Sequence, residues 1–139
     1  MSELYLADTT AWNRSGRTAA IEARWTALLG DNRLAVCSPV RLELLYSARS
    51  PADYVALADD LAGLPELALA DAAVARADEV QGLLAARSKQ RGASIVDLYV
   101  AAIAEVSGAT LLHYDRHFDA ISRVTGQPAE WIERRGSVD

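Results

Sequence analysis

The chain has few cysteines, no long apolar run and no signal-peptide pattern, and each absence excludes a class of protein. It has a single cysteine, Cys37, so no disulfide can form within the chain, and this agrees with a reducing cytosol. No apolar run approaches the roughly 20 residues that a bilayer-spanning helix needs. The N-terminus lacks the basic segment and apolar stretch of a signal peptide. We therefore expect a cytoplasmic protein that does not associate with membranes.

Positive charge and aromatic side chains are also scarce. The 14 basic residues are outnumbered by 19 acidic ones, and the net charge of −5 argues against a non-specific nucleic-acid coat. It does not exclude a nuclease, because a bound metal ion reverses the local sign at an acidic site. The chain is 51% hydrophobic but only 6% aromatic, which indicates a globular and largely helical protein. A length of 139 residues fits a single domain spanning 1–139.

Short apolar segments alternate with segments of helical periodicity. The pattern predicts strands at 4–7, 34–37, 67–69, 110–113 and, at an edge, 131–132. It predicts helices at 18–29, from Ser38, from Ser50 through Leu61, from Asp71 to about Gln90, at 94–106 and at 115–124. This alternation predicts an α/β sandwich around a mostly parallel sheet. Ligands of such sheets bind beyond the carboxyl ends of the strands.

Four acidic residues stand at the edges of apolar segments. Asp8 and Asp115 follow predicted strands, and Glu43 and Asp97 lie within apolar stretches of predicted helices. A carboxylate among apolar neighbours is costly unless its charge is compensated. Oxygen ligands of this kind suit Mg²⁺, so a shared cation is one interpretation.

Each of the four also has a purely structural interpretation. Asp8 and Asp115 are good helix caps, and Asp97 follows Ser94 at the spacing of a capping box. Glu43 has Arg41 and other arginines as candidate ion-pair partners. The helix that follows Asp97 carries no other charge until Glu105, which predicts that it is buried and that Asp97 faces the interior or a cleft.

The ordered set of acidic segments resembles the PIN domain family, and within it the VapC-type ribonuclease toxins of prokaryotic toxin–antitoxin pairs. The matching segments are LADTTAW at 6–12, PVRLELL at 39–45, IVDLYVAA at 95–102 and LLHYDRHFDAI at 111–121. The resemblance implies a three-layer α/β/α sandwich, a Mg²⁺- or Mn²⁺-dependent endoribonuclease, a cognate antitoxin and a homodimer. It places catalytic roles on Asp8, Glu43, Asp97 and Asp115.

In the scheme that the resemblance implies, Asp8, Asp97 and Asp115 hold the ion, and Glu43 orients or deprotonates the attacking water. Thr10 supports Asp8. Attack by water leaves a 5′-phosphate and a 3′-hydroxyl. The chain departs from the family at His117, where many relatives have another carboxylate, and this puts a second metal position in doubt.

Other interpretations of these residues remain open at this point. A non-catalytic module that binds RNA or protein would tolerate the change at His117. A dehalogenase-like phosphatase would need an aspartate where Thr10 stands, and a receiver domain would have its acids early in the chain. His113 and His117 could contribute to a zinc site, although no cysteine or third histidine supports it.

Two further sets of residues have open roles. Arg14 and Arg116 lie beside the acidic residues, where they could hold phosphate or neutralise surplus carboxylates. Leu45, Tyr54 and Leu57 could form a groove for an amphipathic antitoxin helix or belong to the core.

Overall fold

Five parallel strands form the central sheet of the computed structural model, which describes residues 3–136. They are β1 (Tyr5–Ala7), β2 (Leu34–Cys37), β3 (Glu66–Leu67), β4 (Thr110–His113) and β5 (Ala129–Trp131). Their order is β3-β2-β1-β4-β5, and every neighbouring pair is parallel. The register sets Leu6 of β1 opposite Ala35 on one side and Leu111 on the other. The predicted parallel sheet is confirmed.

Seven helices cover the two faces of the sheet. They are α1 (Thr9–Trp12), α2 (Ala19–Gly30), α3 (Ser38–Tyr46), α4 (Pro51–Ala62), α5 (Asp71–Ala85), α6 (Ile95–Ser107) and α7 (His117–Thr125). One core cluster contains Ile21, Trp25 and Leu28 of α2, packed with Leu34 and Leu112 of the sheet. The larger cluster contains the buried residues of α3 to α7. Helices therefore form a layer on each side, as expected for an α/β/α sandwich.

Several predicted boundaries are wrong by a few residues. The helix predicted to reach Gln90 ends at Ala85, because Ser88 takes a left-handed conformation with φ 57° and the Lys89 N–H donates to the Leu84 carbonyl at 2.8 Å. Its N-cap is Ala70 rather than Asp71. At the C-terminal end, Ser88 and Lys89 turn the chain back without the glycine that is common after a helix.

Other corrections concern the strands and helix starts near the sheet. α3 begins at Ser38 itself, with Cys37 as N-cap, and α7 begins at His117 rather than Asp115. The third strand is Glu66–Leu67 rather than 67–69, and the last is Ala129–Trp131 rather than 131–132. Both are short edge strands with few residues to show a pattern.

The sheet topology places a crevice between β1 and β4. The chain runs from β1 outward to β2 and β3, then returns to the other side of β1 for β4 and β5. Such a switch point opens a crevice at the carboxyl ends of the two central strands. The Asp8 N–H donates to the Leu112 carbonyl at 3.0 Å, and the Tyr114 N–H donates to the Thr10 hydroxyl at 2.9 Å. These bonds join the segments that leave β1 and β4.

Within residues 3–136, every helix falls short of the combined length and apolarity that crossing a bilayer requires.

Candidate metal centre

Asp8 lies at the end of β1 and is only 4% exposed. It is the N-cap of α1, and its Oδ1 accepts hydrogen bonds from the Thr10 hydroxyl at 2.7 Å and the Ala11 N–H at 3.2 Å. Burial raises the pKa of Asp8 to about 7, against the effect of these hydrogen bonds, and the negative charge of Asp97 adds to the rise. Asp8 therefore caps a helix, as predicted, and also lies near a second carboxylate, as predicted.

Asp97 also combines a cap with a position in the crevice. Its carboxylate accepts from the Ser94 N–H and the Ser94 hydroxyl accepts from the Asp97 N–H, both at 3.1 Å, which completes the capping box of α6. Burial raises the pKa of Asp97, and the charge of Asp115 raises it further, while the Ser94 hydrogen bonds and His117 act in the opposite direction. The fold therefore holds the Asp97 carboxylate near that of Asp115, although the two negative charges repel each other.

Asp115 and His117 complete a compact polar group with Asp97. Each of the three offers a ligand atom, and these atoms lie within 4.8 Å of one another. The Asp115 Oδ1 accepts the His117 N–H at 2.9 Å and lies 3.3 Å from the His117 Nδ1. The departure from the family pattern at His117 thus places an imidazole nitrogen beside the two carboxylates.

His113 supports Asp115 from the core. Its ring is buried against Phe118 and Trp131, and its Nδ1 accepts the Asp115 N–H at 3.1 Å. Burial lowers the pKa of His113 to about 4, so the ring is neutral at physiological pH. The structure therefore gives His113 a place behind Asp115 rather than in a two-histidine zinc site.

Glu43 stands at the exposed rim of the crevice. Its Oε1 accepts the Thr9 hydroxyl at 2.6 Å, which ties α3 to the residue after Asp8. The predicted alternative of an ion pair with Arg41 is wrong, since Arg41 pairs with Glu66. Glu43 is not part of the three-residue ligand group.

Other polar residues near the crevice have separate partners. Asp119 accepts the Trp131 indole N–H at 3.1 Å and lies 3.8 Å from Arg135, and it is not part of the three-residue ligand group. Arg14 donates to the Thr10 carbonyl at 3.1 Å and stacks over the Tyr114 ring. Arg116 is exposed and lines a neighbouring cleft.

The residues proposed for an antitoxin groove divide between core and surface. Leu45 is buried and Leu57 is partly buried against the core, whereas Tyr54 is 48% exposed beside the exposed Val55. A different face, which we name the apolar face, is formed by the exposed side chains of Leu42, Tyr46, Leu69 and Ile95.

The crevice suits a divalent cation. Asp97, at the start of α6, and Asp115, after β4, contribute carboxylate oxygens to the ligand group, and His117 adds a nitrogen. Asp8, after β1, is not part of this group of three, but its charge interacts with that of Asp97. A bound cation would offset the repulsion and the burial cost that raise the pKa values of Asp8 and Asp97. Carboxylate ligands fit Mg²⁺ and Mn²⁺, and the imidazole favours the transition metal of the two.

Comparison with known proteins agrees with this geometry. The PIN domain model matches residues 5–124. Ribonuclease VapC18 of Mycobacterium tuberculosis is 42% identical over 137 residues, which cover 97% of this chain and 99% of the relative. Ribonuclease VapC51 of the same organism is 39% identical over the full length of both chains.

Solved structures share the fold at lower identity. A chain of DNA-bound VapBC from Salmonella typhimurium superposes with a TM-score of 0.76 at 19% identity, covering 95% of this chain and all of that chain. A chain of DNA-bound VapBC2 from Rickettsia felis gives 0.75 at 18% identity, covering 92% and 98%. Taken together, the family match over most of the chain and the full-length relatives show that this protein belongs to the PIN domain family, in its VapC group.

Proposed function

We propose that this protein is a Mg²⁺- or Mn²⁺-dependent endoribonuclease and the toxin of a toxin–antitoxin pair. One observation carries the proposal. Asp97, Asp115 and His117 converge beside the buried Asp8, in a chain 42% identical over nearly its whole length to a protein named as a ribonuclease. Binding RNA without cleaving it would not need a group of carboxylates that repel one another.

Asp8, Asp97 and Asp115 would hold the ion, with His117 as a further ligand. The fit rests on the raised pKa values of Asp8 and Asp97, on the short distances within the group and on its mixed oxygen and nitrogen donors. A divalent ion at this site supplies charge neutralisation for a phosphate and lowers the pKa of a water molecule. Thr10 keeps Asp8 in place through its hydroxyl, which also holds the Tyr114 N–H.

Glu43 would orient and deprotonate the attacking water. Its carboxylate is exposed at the rim, and its hydrogen bond with Thr9 fixes one oxygen and leaves the other without a described protein partner. Because water rather than a ribose hydroxyl attacks phosphorus, the products carry a 5′-phosphate and a 3′-hydroxyl. Products with a 2′,3′-cyclic phosphate would contradict this scheme.

Two protein partners belong to the proposal. The solved relatives come from VapBC assemblies, and we expect a cognate antitoxin whose helix packs against the exposed Tyr54 and Val55 of α4. We expect a homodimer through the apolar face, where Tyr46 is 92% exposed and Ile95 is 70% exposed. We place the protein in the cytoplasm, where the buried free thiol of Cys37 stays reduced.

The competing function is a PIN-fold module that binds RNA or a protein without cleavage. It takes its support from the absence of the family carboxylate at His117. The position of His117 weakens that support, because the imidazole nitrogen lies among the carboxylates as a ligand atom of its own.

Cleavage of total cellular RNA tests the proposal. Purified protein without its antitoxin is incubated with Mg²⁺, with Mn²⁺ or with EDTA, beside the Asp97→Asn variant. We expect discrete fragments with either metal and none with EDTA or with the variant. Folded protein that binds no metal and cuts no RNA would favour the binding module.

A further inference from the structure

A second cleft adjoins the candidate metal centre, and its charge is of the opposite sign. It has a volume of about 470 Å³ and shares His117 with the acidic group. The basic side chains that line it are Lys89, Arg91, Arg116, Arg123 and Arg135. Among its described lining residues the only acid is Asp119, so the cleft has a formal excess of four positive charges. The whole chain, by contrast, carries −5.

The fold builds this cleft from the loop after α5, from α7 and its N-cap, and from Arg135 near the end of the described residues. The end of α5 turns back at the left-handed Ser88, and the loop that follows carries Lys89 and Arg91. At Gly92 this loop passes close to the metal centre, since a Cβ atom there would lie 3.5 Å from the His117 ring. Arg116, at the start of α7, and Arg123, within it, supply the opposite wall. The loop and α7 therefore bring basic residues together from distant sequence positions.

Most of the basic side chains in this cleft have no carboxylate partner, unlike three arginines elsewhere in the described part of the chain. Arg24, Arg41 and Arg76 each form an ion pair with a glutamate. In the cleft, Arg135 lies 3.8 Å from Asp119. For the other four basic side chains of the cleft, residues 3–136 offer no carboxylate within ion-pair distance. Like charges gathered without counter-charges in an acidic protein indicate an anionic ligand.

We infer that this basic cleft binds the sugar–phosphate backbone of a single-stranded RNA segment next to the phosphodiester that is cleaved. The inference rests on the proposed function and extends it by naming the surface along which the RNA strand lies. Arginine presents a planar fork that matches phosphate oxygens. The shared His117 means that one continuous polyanion can reach both the cleft and the metal centre. An acidic protein segment would also match the charge of the cleft, and binding of polyglutamate distinguishes that ligand from RNA.

The test measures RNA binding separately from cleavage. A fluorescein-labelled oligouridine is titrated with the full-length protein in EDTA, and anisotropy is followed between 50 and 200 mM salt, conditions chosen because phosphate contacts are strongly salt-dependent there. The test variant is Arg91→Gln with Arg123→Gln. The control is Arg33→Gln with Arg41→Gln, which removes the same charge from residues that do not line the cleft. Thermal unfolding of both variants establishes that they are folded.

The inference predicts weaker binding by the cleft variant alone. Each phosphate contact contributes about 0.7 to the logarithmic salt slope for a single strand, so losing two lowers the slope by about 1.4 and the affinity about 25-fold at 0.1 M salt. Restoring charge with Arg91→Lys and Arg123→Lys recovers most of the slope. Equal affinities and slopes for the cleft and control variants would overturn the inference.

Three further outcomes show whether this inference, the proposed function or both have failed. If the wild-type protein cleaves RNA with metal but the cleft variant binds RNA like the control, the inference fails and the proposed function stands. If polyglutamate binds in a cleft-dependent way and oligouridine does not, the cleft recognises an acidic protein segment, and the inference is overturned. If wild type neither binds nor cleaves RNA, both are wrong.

Discussion

Asp8 loses its contact with water on folding, and the hydrogen bonds from Thr10 and Ala11 only partly offset that loss. Its pKa rises from an ordinary 3.8 to about 7, so the folded state holds this proton more tightly than the unfolded state does. Without metal, the free energy of unfolding therefore falls as the pH rises between these two values. The full loss corresponds to about 4 kcal/mol above pH 7.

Asp8→Asn should stabilise the metal-free protein, because the amide accepts the same hydrogen bonds without carrying a charge. In EDTA we expect a gain in unfolding free energy of a few kcal/mol at pH 8 and a small gain near pH 4. Thermal unfolding across this pH range measures it, with Asp59→Asn on the exposed side of α4 as the control. A variant no more stable than wild type at pH 8 would show that the Asp8 charge is already compensated in the fold.

His117 should set the preference between metals. Its Nδ1 lies beside the Asp115 carboxylate, and an imidazole ligand favours Mn²⁺ over Mg²⁺ more than a carboxylate does. His117→Asp should raise Mg²⁺ affinity and reduce the ratio of Mn²⁺ to Mg²⁺ affinity, as measured by calorimetric titration. His117→Ala should lose the Mn²⁺ advantage without gaining Mg²⁺ affinity. Unchanged ratios in both variants would remove His117 from the ligand set.

The sequence predicts the acidic residues better than it predicts their neighbours. Asp8, Asp97 and Asp115 stand out because each interrupts or follows an apolar segment. The sequence marks His117 as a departure from the family pattern, but only the fold shows its ring nitrogen beside the carboxylates of Asp97 and Asp115. Lys89, Arg91 and Arg123 give no local signal of a cleft, because α5 and α7 bring them together only in the fold.

At the level of elements, the capping box of α6 links the stability of a helix to the position of a metal ligand. The Ser94 hydroxyl accepts the Asp97 N–H, while the Asp97 carboxylate accepts the Ser94 N–H. The first turn of α6 therefore restricts the same carboxylate that faces the crevice.

Ser94→Ala should lower both stability and metal affinity. Loss of an N-cap hydroxyl costs about 1 kcal/mol. Ser50 caps α4 by the same kind of bond to the Asp53 N–H, but α4 contributes no proposed ligand, so Ser50→Ala is a matched control. We expect similar losses in chemical denaturation but weaker Mn²⁺ binding for Ser94→Ala alone. Equal metal affinities in the two variants would show that the cap does not position Asp97.

The elements that the sequence predicts well are those with strong local signals. The strands β2 and β4 match their predicted bounds, because each is a short buried segment with apolar residues at its centre. α6 ends at Ser107, one residue beyond its predicted end, and Gly108 with φ 71° is its C-cap. α5 ends early at Ala85, before a left-handed Ser88 that no residue preference indicates. The edge strands β3 and β5 are set by pairing rather than by sequence pattern.

At the level of the whole molecule, the apolar face is the surface that we expect to close a homodimer. Tyr46→Asp with Ile95→Asp should convert a dimer to a monomer in light scattering coupled to size exclusion, because it buries charge in an apolar contact. Tyr54→Asp, on the face of α4, should leave the dimer intact. A monomeric wild-type protein, or a dimer that survives the double change, would contradict this assignment.

The two adjoining clefts carry opposite charges, and we propose that they bind different parts of the reacting complex. The acidic crevice would hold metal and the basic cleft beside it would hold the strand, although the chain as a whole is acidic. An RNA strand can bind the positive charge of the basic cleft even though the net charge of the protein is negative.

The most direct test of the account is the cleavage rate of single carboxylate variants on one RNA substrate in Mn²⁺. Asp8→Asn, Asp97→Asn and Asp115→Asn are compared with wild type and with Asp53→Asn, an exposed residue in the first turn of α4. We predict that each of the three slows cleavage by more than about a hundredfold, since even groups that only support metal ligands contribute 10–100-fold. Asp53→Asn should cleave like wild type. Normal cleavage by the three folded variants would show that this acidic site is structural and would contradict the account.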